Sequence, residues 1–401
     1  MISLIQNDRM NNPAFTKSRI QSIDLLRGIV MVIMVLDHSR NYFHYNGFSE
    51  DPTDLVNSTP ILFFTRWITH FCAPVFIFLS GTSIFLMRST SIKEKSLFAF
   101  KRGLWLVLLS LTVVAFVWWF DFSMHYLALD VIWVIGICMI LFAGILNLPF
   151  RVILFFGLIT IAFHNLLDTT NFENGQMQTL LWDLFHREGL VNINNHFSIF
   201  VVYPLMPWIG VMSLGYCLGK LYQNDFSAKR RRTILFLIGS GCILLFIFLR
   251  ALNNFGEPEP WKQYPSTLFS LMSFINTTKY PPSLLYLLMT IGPSLILLSL
   301  TETFINKIAQ FFIVFGRVPL FFYLIHLYFL HLVAFIATLF SYSWNETIQA
   351  QTKMSEFPSG YGFSLMIVYL VWIVTVFILY PICKWYSNFK STHQLWWLSY
   401  I

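Results

Sequence analysis

Residues 19–43 read RIQSIDLLRGIVMVIMVLDHSRNYF, a long apolar run interrupted by Asp24, Arg27, Asp37 and His38. A run of this length is a candidate membrane-spanning helix. Ionisable groups inside a span are costly unless they face a protein interior, a cavity or a site. On a helix stepping about 100° per residue, Arg27 and His38 lie about 20° apart around the axis and about 16 Å apart along it. Asp24 falls within about 40° of that line and Asp37 about 100° to one side. One helix face therefore carries an arginine toward one membrane surface and a histidine toward the other, which suits a reaction site better than an anchor.

The rest of the chain has the same character. Its 401 residues are 56% hydrophobic, 18% aromatic and only 11% charged, with a mean hydropathy of +0.64. That balance excludes a soluble enzyme of this size. The apolar runs are continuous rather than alternating, which excludes an outer-membrane barrel. The expected fold is all-α, a polytopic integral membrane helical bundle of 10 or 11 spans. Ten are read, near 20–43, 60–87, 101–120, 127–146, 150–167, 198–219, 233–251, 283–301, 318–340 and 363–386. A single membrane domain over residues 19–390 follows, flanked by tails at 1–18 and 391–401.

The net charge of +7 does not imply nucleic acid, because the basic residues are distributed by membrane side. With the N-terminus inside, seventeen of the 26 Lys and Arg residues fall in inner segments and seven in outer ones. The positive-inside rule thus places both termini in the cytoplasm. The run Lys229–Arg232 then serves orientation and lipid headgroups. No cleavable leader is read in the polar stretch before Arg19. The five cysteines show no repeated spacing, and no metal-ligand pattern appears, so a metal-free site is expected.

In this topology His38, His70 and Asp130 share the outer half of the bundle, with Asp121, His125, His164 and Asp168 near the same level. Such a gathering fits general acid–base chemistry, and equally a proton-coupled transporter using the same His/Asp relay. For an isolated interfacial histidine the usual role is a plain hydrogen bond. His38 stands above that background because it shares a face with Arg27 and follows Asp37. Asp37 or Asp130 could orient its imidazole. The long outer loops at 168–197 and 252–282 read as binding surfaces or lids, and Lys279 and Tyr280 at the end of the second are candidate acceptor contacts. Ser80-Gly81 offers a narrow surface for close helix packing. Ile308–Phe315 reads as a short inner element, with a break at Gly316–Pro319 before the next crossing helix.

Four stretches, SIDLLRGIVMVIMVLDH, WITHFCAPVFIFLSGTSIFLM, KYPPSLLYLLMTIGP and FGRVPLFFYLIHL, resemble the bacterial members of the heparan-α-glucosaminide N-acetyltransferase family. The chain is also similar to the wider transmembrane acyltransferases, whose LRG-then-His pattern falls on Leu26-Arg27-Gly28 and His38, and whose Gly-Arg…His segment falls on Gly316, Arg317 and His326. The resemblance implies a multi-pass acyltransferase of the plasma or inner membrane. It would transfer an acetyl group from cytosolic acetyl-CoA to a sugar or glycan acceptor on the outer face, and a homodimer is the implied assembly. It implies His38 as the catalytic base, and the residues around it add Asp37 and His70 as catalytic candidates. By their placement in this chain, Arg27, Arg19, Arg102, Arg317 and His326 are expected to hold the CoA, and Asp130, Lys279 and Tyr280 the acceptor. The animal lysosomal enzyme is similar here but has asparagine at the position of His38 and a histidine in the next loop. This chain has Asn46 to Ser49 there and His44 just before, so the base stays open among His38, His70 and His44.

Overall fold

The computed structural model describes residues 19–45, 47–87, 91–120, 125–170, 175–223, 225–303, 305–351, 357–393 and 395–400. The expected tail at 1–18, Asn46 and Asp121 lie outside the described residues. The fold is helical, as expected, with one small sheet. Among the described residues seven helices are long and apolar enough to cross a membrane: Pro60–Phe85, Ile92–Trp118, Phe150–Leu167, Ala228–Leu252, Leu284–Thr301, Pro319–Thr338 and Leu365–Thr392. The helix Gln21–Phe43 is long enough but carries Asp24, Arg27, Asp37 and Arg40. Two further apolar helices, Val131–Ile145 and Trp208–Leu218, are short. Length and composition among the described residues thus support seven spans, and the expected count of ten is not confirmed.

Two of the expected spans begin as strands instead. β1 (Tyr126–Leu129) pairs in parallel with β3 (Phe197–Val201), and β2 (Gly189–Asn194) pairs antiparallel with β3, giving the order β1-β3-β2. Each strand is four to six residues long, so each merges into the apolar run or polar loop beside it. Strands this short carry too little periodicity to be told from a helix start.

Glycines set the helix crossings that position the site. A Cβ on Gly28 would sit 1.9 Å from the Phe312 carbonyl oxygen, and one on Gly316 would sit 1.8 Å from that of Asp24. The helices Gln21–Phe43 and Lys307–Arg317 thus touch backbone to backbone, a contact that only a missing side chain permits. Gly81 and Gly215 do the same for Cys72–Phe85 against Trp208–Leu218, with Cβ positions 2.0 Å from Met212 O and 1.8 Å from Phe78 O. The break expected before the last part of the bundle is present: Lys307–Arg317 ends at Val318 (φ −131°) and Pro319 opens the next helix. Pro319 suits a first helical position because its missing N–H would have no intrahelical partner there.

Pro74 explains a second break. It lacks the N–H that would bond to the carbonyl four residues back, and its ring crowds that carbonyl. That residue is His70, where the helix Pro60–Thr69 ends before Cys72–Phe85 resumes. The freed His70 carbonyl accepts the Tyr286 hydroxyl at 2.7 Å.

Candidate active site: two cavities meeting at Tyr323

Two cavities abut inside the bundle. The larger, about 670 Å³, is lined by many charged and polar side chains and lies where loops, the sheet and helix ends converge. Its wall includes six of the residues expected from sequence: Asp37, His38, His70, Asp130, Lys279 and Tyr280. The smaller, about 290 Å³, runs between helices and is lined by Arg19, Arg27, Arg102, Arg317 and Lys390 among apolar side chains such as Met31, Phe76, Leu106 and Met139. Four of those five cations were expected to hold CoA. Val131 and Tyr323 line both cavities and form their common wall.

The helix Gln21–Phe43 connects the two. At one end Arg27 donates to the Gly316 carbonyl at 3.3 Å, to Ser83 Oγ at 3.1 Å and to Asp24 Oδ1 at 3.4 Å. The glycine crossing therefore fixes the guanidinium as well as the backbone. Arg19 also reaches Asp24, at 3.5 Å. One carboxylate between two arginines leaves an excess of positive charge around the smaller cavity, as an anion site requires. At the other end His38 is buried, with its ring edge-on to Trp118 and Tyr323 at centroid distances of 5.2 and 6.2 Å.

Neither Asp37 nor Asp130 bonds to the His38 ring among the described residues. Asp37 is paired with Arg66 and, at 3.4 Å, with Arg40. Asp130 caps the helix Val131–Ile145: its Oδ1 accepts from the backbone N–H groups of Ile132 and Trp133 at 3.1 Å each and from Ser110 Oγ at 2.7 Å. Capping carboxylates commonly satisfy otherwise orphaned N–H groups in this way. Ser110 opens a π-helical turn, Ser110–Val114, and turns of this kind recur at functional sites. Oδ2 of Asp130 accepts the Tyr323 hydroxyl at 2.8 Å. Asp130 therefore acts on the site by fixing Tyr323, the shared wall, and both its oxygens are committed.

The partner of His38 is His326, whose Nε2 lies 2.7 Å from His38 Nδ1. His326 is fully buried and lines neither cavity, so it stands behind His38 rather than beside the cations with which the sequence grouped it. His70 is buried with its ring against Tyr286 and its Nδ1 unpartnered among the described residues. His44 lies outside the larger cavity, in a loop, with Nδ1 2.9 Å from the Tyr45 carbonyl. His164 bridges the Ile161 and Pro282 carbonyls at 3.0 and 2.9 Å, and Asp168 pairs with His186 at 2.8 Å. Both brace loops at this end of the bundle.

Part of the same cavity wall is built by the second long loop. Arg250, 1% exposed, donates to four backbone carbonyls: Phe274 and Glu259 at 2.9 Å, Ser273 at 3.0 Å and Asn276 at 2.6 Å. A guanidinium with five fixed donors can pin a loop in this manner. The pinned loop carries Thr277–Tyr280 over the cavity, where Lys279 Nζ lies 4.9 Å from the Tyr280 ring centroid and 6.0 Å from that of Tyr203.

Several wall residues escaped the sequence reading. Arg66 sits in an apolar run and bonds to Asp37, so the cost argument that exposed Arg27 applies to it equally. Lys390 was counted only among the inner basic residues. Glu188, just before β2, had no sequence signal at all. Its carboxyl is pushed up to about 7 by burial, with Asp51 adding to the rise and Lys279 and Arg66 opposing it.

No curated protein matches the chain. The profile described as heparan-alpha-glucosaminide N-acetyltransferase, catalytic, matches residues 19–251. The match includes Arg27, His38 and Asp130, while Lys279, Arg317 and His326 lie beyond it. The chain is thus an integral membrane protein of transferase type that belongs to the heparan-alpha-glucosaminide N-acetyltransferase catalytic family.

Proposed function

We propose that this protein transfers an acetyl group from acetyl-CoA, held in the smaller cavity, to a sugar or glycan acceptor in the larger one. The observation that carries this reading is the pair of abutting cavities, one ringed by cations and the other bounded by His38, with Tyr323 and Val131 as their common wall. Arg19, Arg27, Arg102, Arg317 and Lys390 suit the phosphates of a nucleotide thioester, since charge-assisted hydrogen bonds to phosphate are strong and directional. The apolar lining beyond them suits the pantetheine arm. The thioester carbonyl would then reach the level of Tyr323, beside His38.

There His38 takes a proton from the acceptor O–H or N–H as that atom attacks the thioester carbon. The new C–O or C–N bond forms, the C–S bond breaks, and the departing thiolate recovers the proton to leave as CoA thiol. General-base assistance of this kind contributes about 10²–10⁴-fold in rate. Asp37 keeps Arg66 and Arg40 in place at the acceptor side, His70 lines the same cavity, and Lys279 and Tyr280 contact the acceptor. The two cavities would open to opposite membrane faces. With both termini cytoplasmic in the plasma or inner membrane, the cations face the cytosol, where acetyl-CoA is made.

The test is direct. Purified protein in nanodiscs is incubated with labelled acetyl-CoA and a panel of hydroxyl- and amine-bearing glycans, beside His38→Ala. Wild-type protein should bind acetyl-CoA and transfer label, and His38→Ala should bind it equally while losing about 10²-fold or more of the transfer rate. Folded wild-type protein that neither binds CoA nor transfers acetyl would overturn the proposal.

A further inference from the structure

His326 does more than fill space. Its Nδ1 lies 2.7 Å from the Phe322 carbonyl oxygen, one helical turn earlier. A carbonyl only accepts, so that nitrogen carries the hydrogen. In a neutral ring Nε2 is then left with a lone pair, and Nε2 faces His38 Nδ1 at 2.7 Å. With both rings neutral, the hydrogen between them belongs to His38 Nδ1. His38 Nε2 consequently bears the free lone pair, which is the state a general base needs. The two rings are parallel within 4° with centroids 5.0 Å apart. With the short N···N contact this is an in-line pair rather than a face-to-face stack. Trp118 and Tyr323, edge-on at 5.2 and 6.2 Å, limit rotation of the His38 ring.

We propose that His326 is a positioning residue for His38, fixing the tautomer and ring orientation in which Nε2 can accept the acceptor's proton. The proposal rests on the acyl-transfer reading and deepens it. When His38 becomes an imidazolium, its Nδ1–H points at the His326 lone pair, which stabilises the charge without changing His326's own protonation. Phe322 O in turn holds His326. The proton balance of the transfer is unchanged, because the proton taken at Nε2 returns to the departing thiolate. The role is that of the carboxylate in a serine–histidine–aspartate triad, supplied here by a neutral imidazole in a setting that would penalise a buried charge.

Glycine and proline positions set this placement. The backbone contact at Gly28 and Gly316 brings the start of Pro319–Thr338 beside Gln21–Phe43. The Pro319 helix start then sets the face that carries Phe322 and His326. A core histidine with no functional part would make the same two hydrogen bonds, so the test must separate catalysis from packing.

Full-length protein in nanodiscs is compared with His326→Phe, which keeps the bulk and removes the acceptor, and His326→Gln, which restores an acceptor oxygen. His326→Phe should lower kcat by about 10²-fold or more, the scale expected when a catalytic histidine loses its orienting partner. KM and Kd for acetyl-CoA should stay within about twofold, since the uniform binding of the donor is untouched. His326→Gln should recover at least about tenfold of the lost kcat. Independently of activity, ¹⁵N spectra of histidine-labelled protein, with His38 signals identified by their loss in His38→Ala, should show His38 protonated at Nδ1 and bare at Nε2 at neutral pH. A neutral His38 protonated at Nε2, or unchanged kcat in His326→Phe, would overturn the proposal. So would joint loss of kcat and CoA binding in both variants. If wild-type protein transfers no acetyl group, the acyl-transfer reading fails, and the ¹⁵N spectra alone decide the pairing.

Discussion

The two cavities are built on different plans. The smaller lies between helices, and its key residues are held by backbone contact: Gly28 and Gly316 bring two helices together, and Arg27 bonds across that crossing to the Gly316 carbonyl at 3.3 Å. The larger is enclosed by loops and a three-stranded sheet, and its residues are held by side chains reaching backbone, above all Arg250 with its four carbonyls. A phosphate-bearing donor common to many transferases suits a rigid, helix-made pocket. An acceptor that differs from enzyme to enzyme suits a loop-made one, because loops tolerate change while the scaffold holds. Donor and acceptor recognition should therefore fail separately when each region is altered.

The largest separation is expected from the crossing glycines. An alanine at Gly316 puts a Cβ against the backbone oxygen of Asp24, where no side-chain rotation relieves the clash. Overpacking of this kind costs about 1–3 kcal/mol, and here it also displaces the carbonyl that holds Arg27. Gly316→Ala should melt lower and bind acetyl-CoA poorly. Gly241→Ala, at a helical glycine with open space around its Cβ position, should leave both unchanged. Equal effects of the two substitutions, measured by thermal unfolding and CoA titration, would show that the crossing does not build the donor pocket.

A smaller and cleaner split should come from single charges. Arg102→Gln removes a cation from the donor cavity alone, so KM for acetyl-CoA should rise about ten- to hundredfold, matching the loss of one charge-assisted bond of roughly 1.5–3 kcal/mol, with acceptor KM unaltered. Lys279→Gln, across the common wall, should do the reverse. If each variant raises both constants, the cavities are one site and the comparison breaks.

The same contrast governs what could be read from sequence. The helix that joins the cavities was legible because helical periodicity places Arg27 and His38 on one line, and the charge cost of a membrane helix marks both residues. The glycine crossings were legible only in part: Ser80-Gly81 looked narrow, but which helix fills the gap depends on the three-dimensional order of the spans. The loop-built cavity was harder. β1 and β3 looked like the starts of helices, and Tyr203, Trp118 and Tyr323 are indistinguishable in a chain that is 18% aromatic. His326 was visible as a histidine inside a span and was grouped with the phosphate ligands, because depth along a helix does not reveal which ring it meets. Arg66 obeys the same rule that marked Arg27 and was legible in principle. Glu188 was not, since a lone glutamate in a polar loop gives no hint that strands will fold it into a cavity wall.

Glu188 supplies the mildest test of the loop-built side. Burial holds its carboxyl near 7, well above its ordinary 4.5, so the folded protein keeps this proton more tightly than the unfolded chain does. Linkage then requires that the stability contributed by the neutral group is fully present below about pH 4.5 and is lost as pH rises through about 7. At pH 8 the wild-type carboxylate is charged in a poorly solvated wall, where Lys279 and Arg66 offset only part of the cost. Glu188→Gln cannot ionise, so it should melt roughly 1–3 °C above wild type at pH 8 and match it near pH 5, with acetyl-CoA binding equal at both. A variant that melts below wild type at pH 8 would mean that the charged carboxylate is held by the neighbouring cations. In that event the acceptor cavity is as electrostatically fixed as the donor cavity, and the contrast between a rigid and an adaptable half no longer separates them.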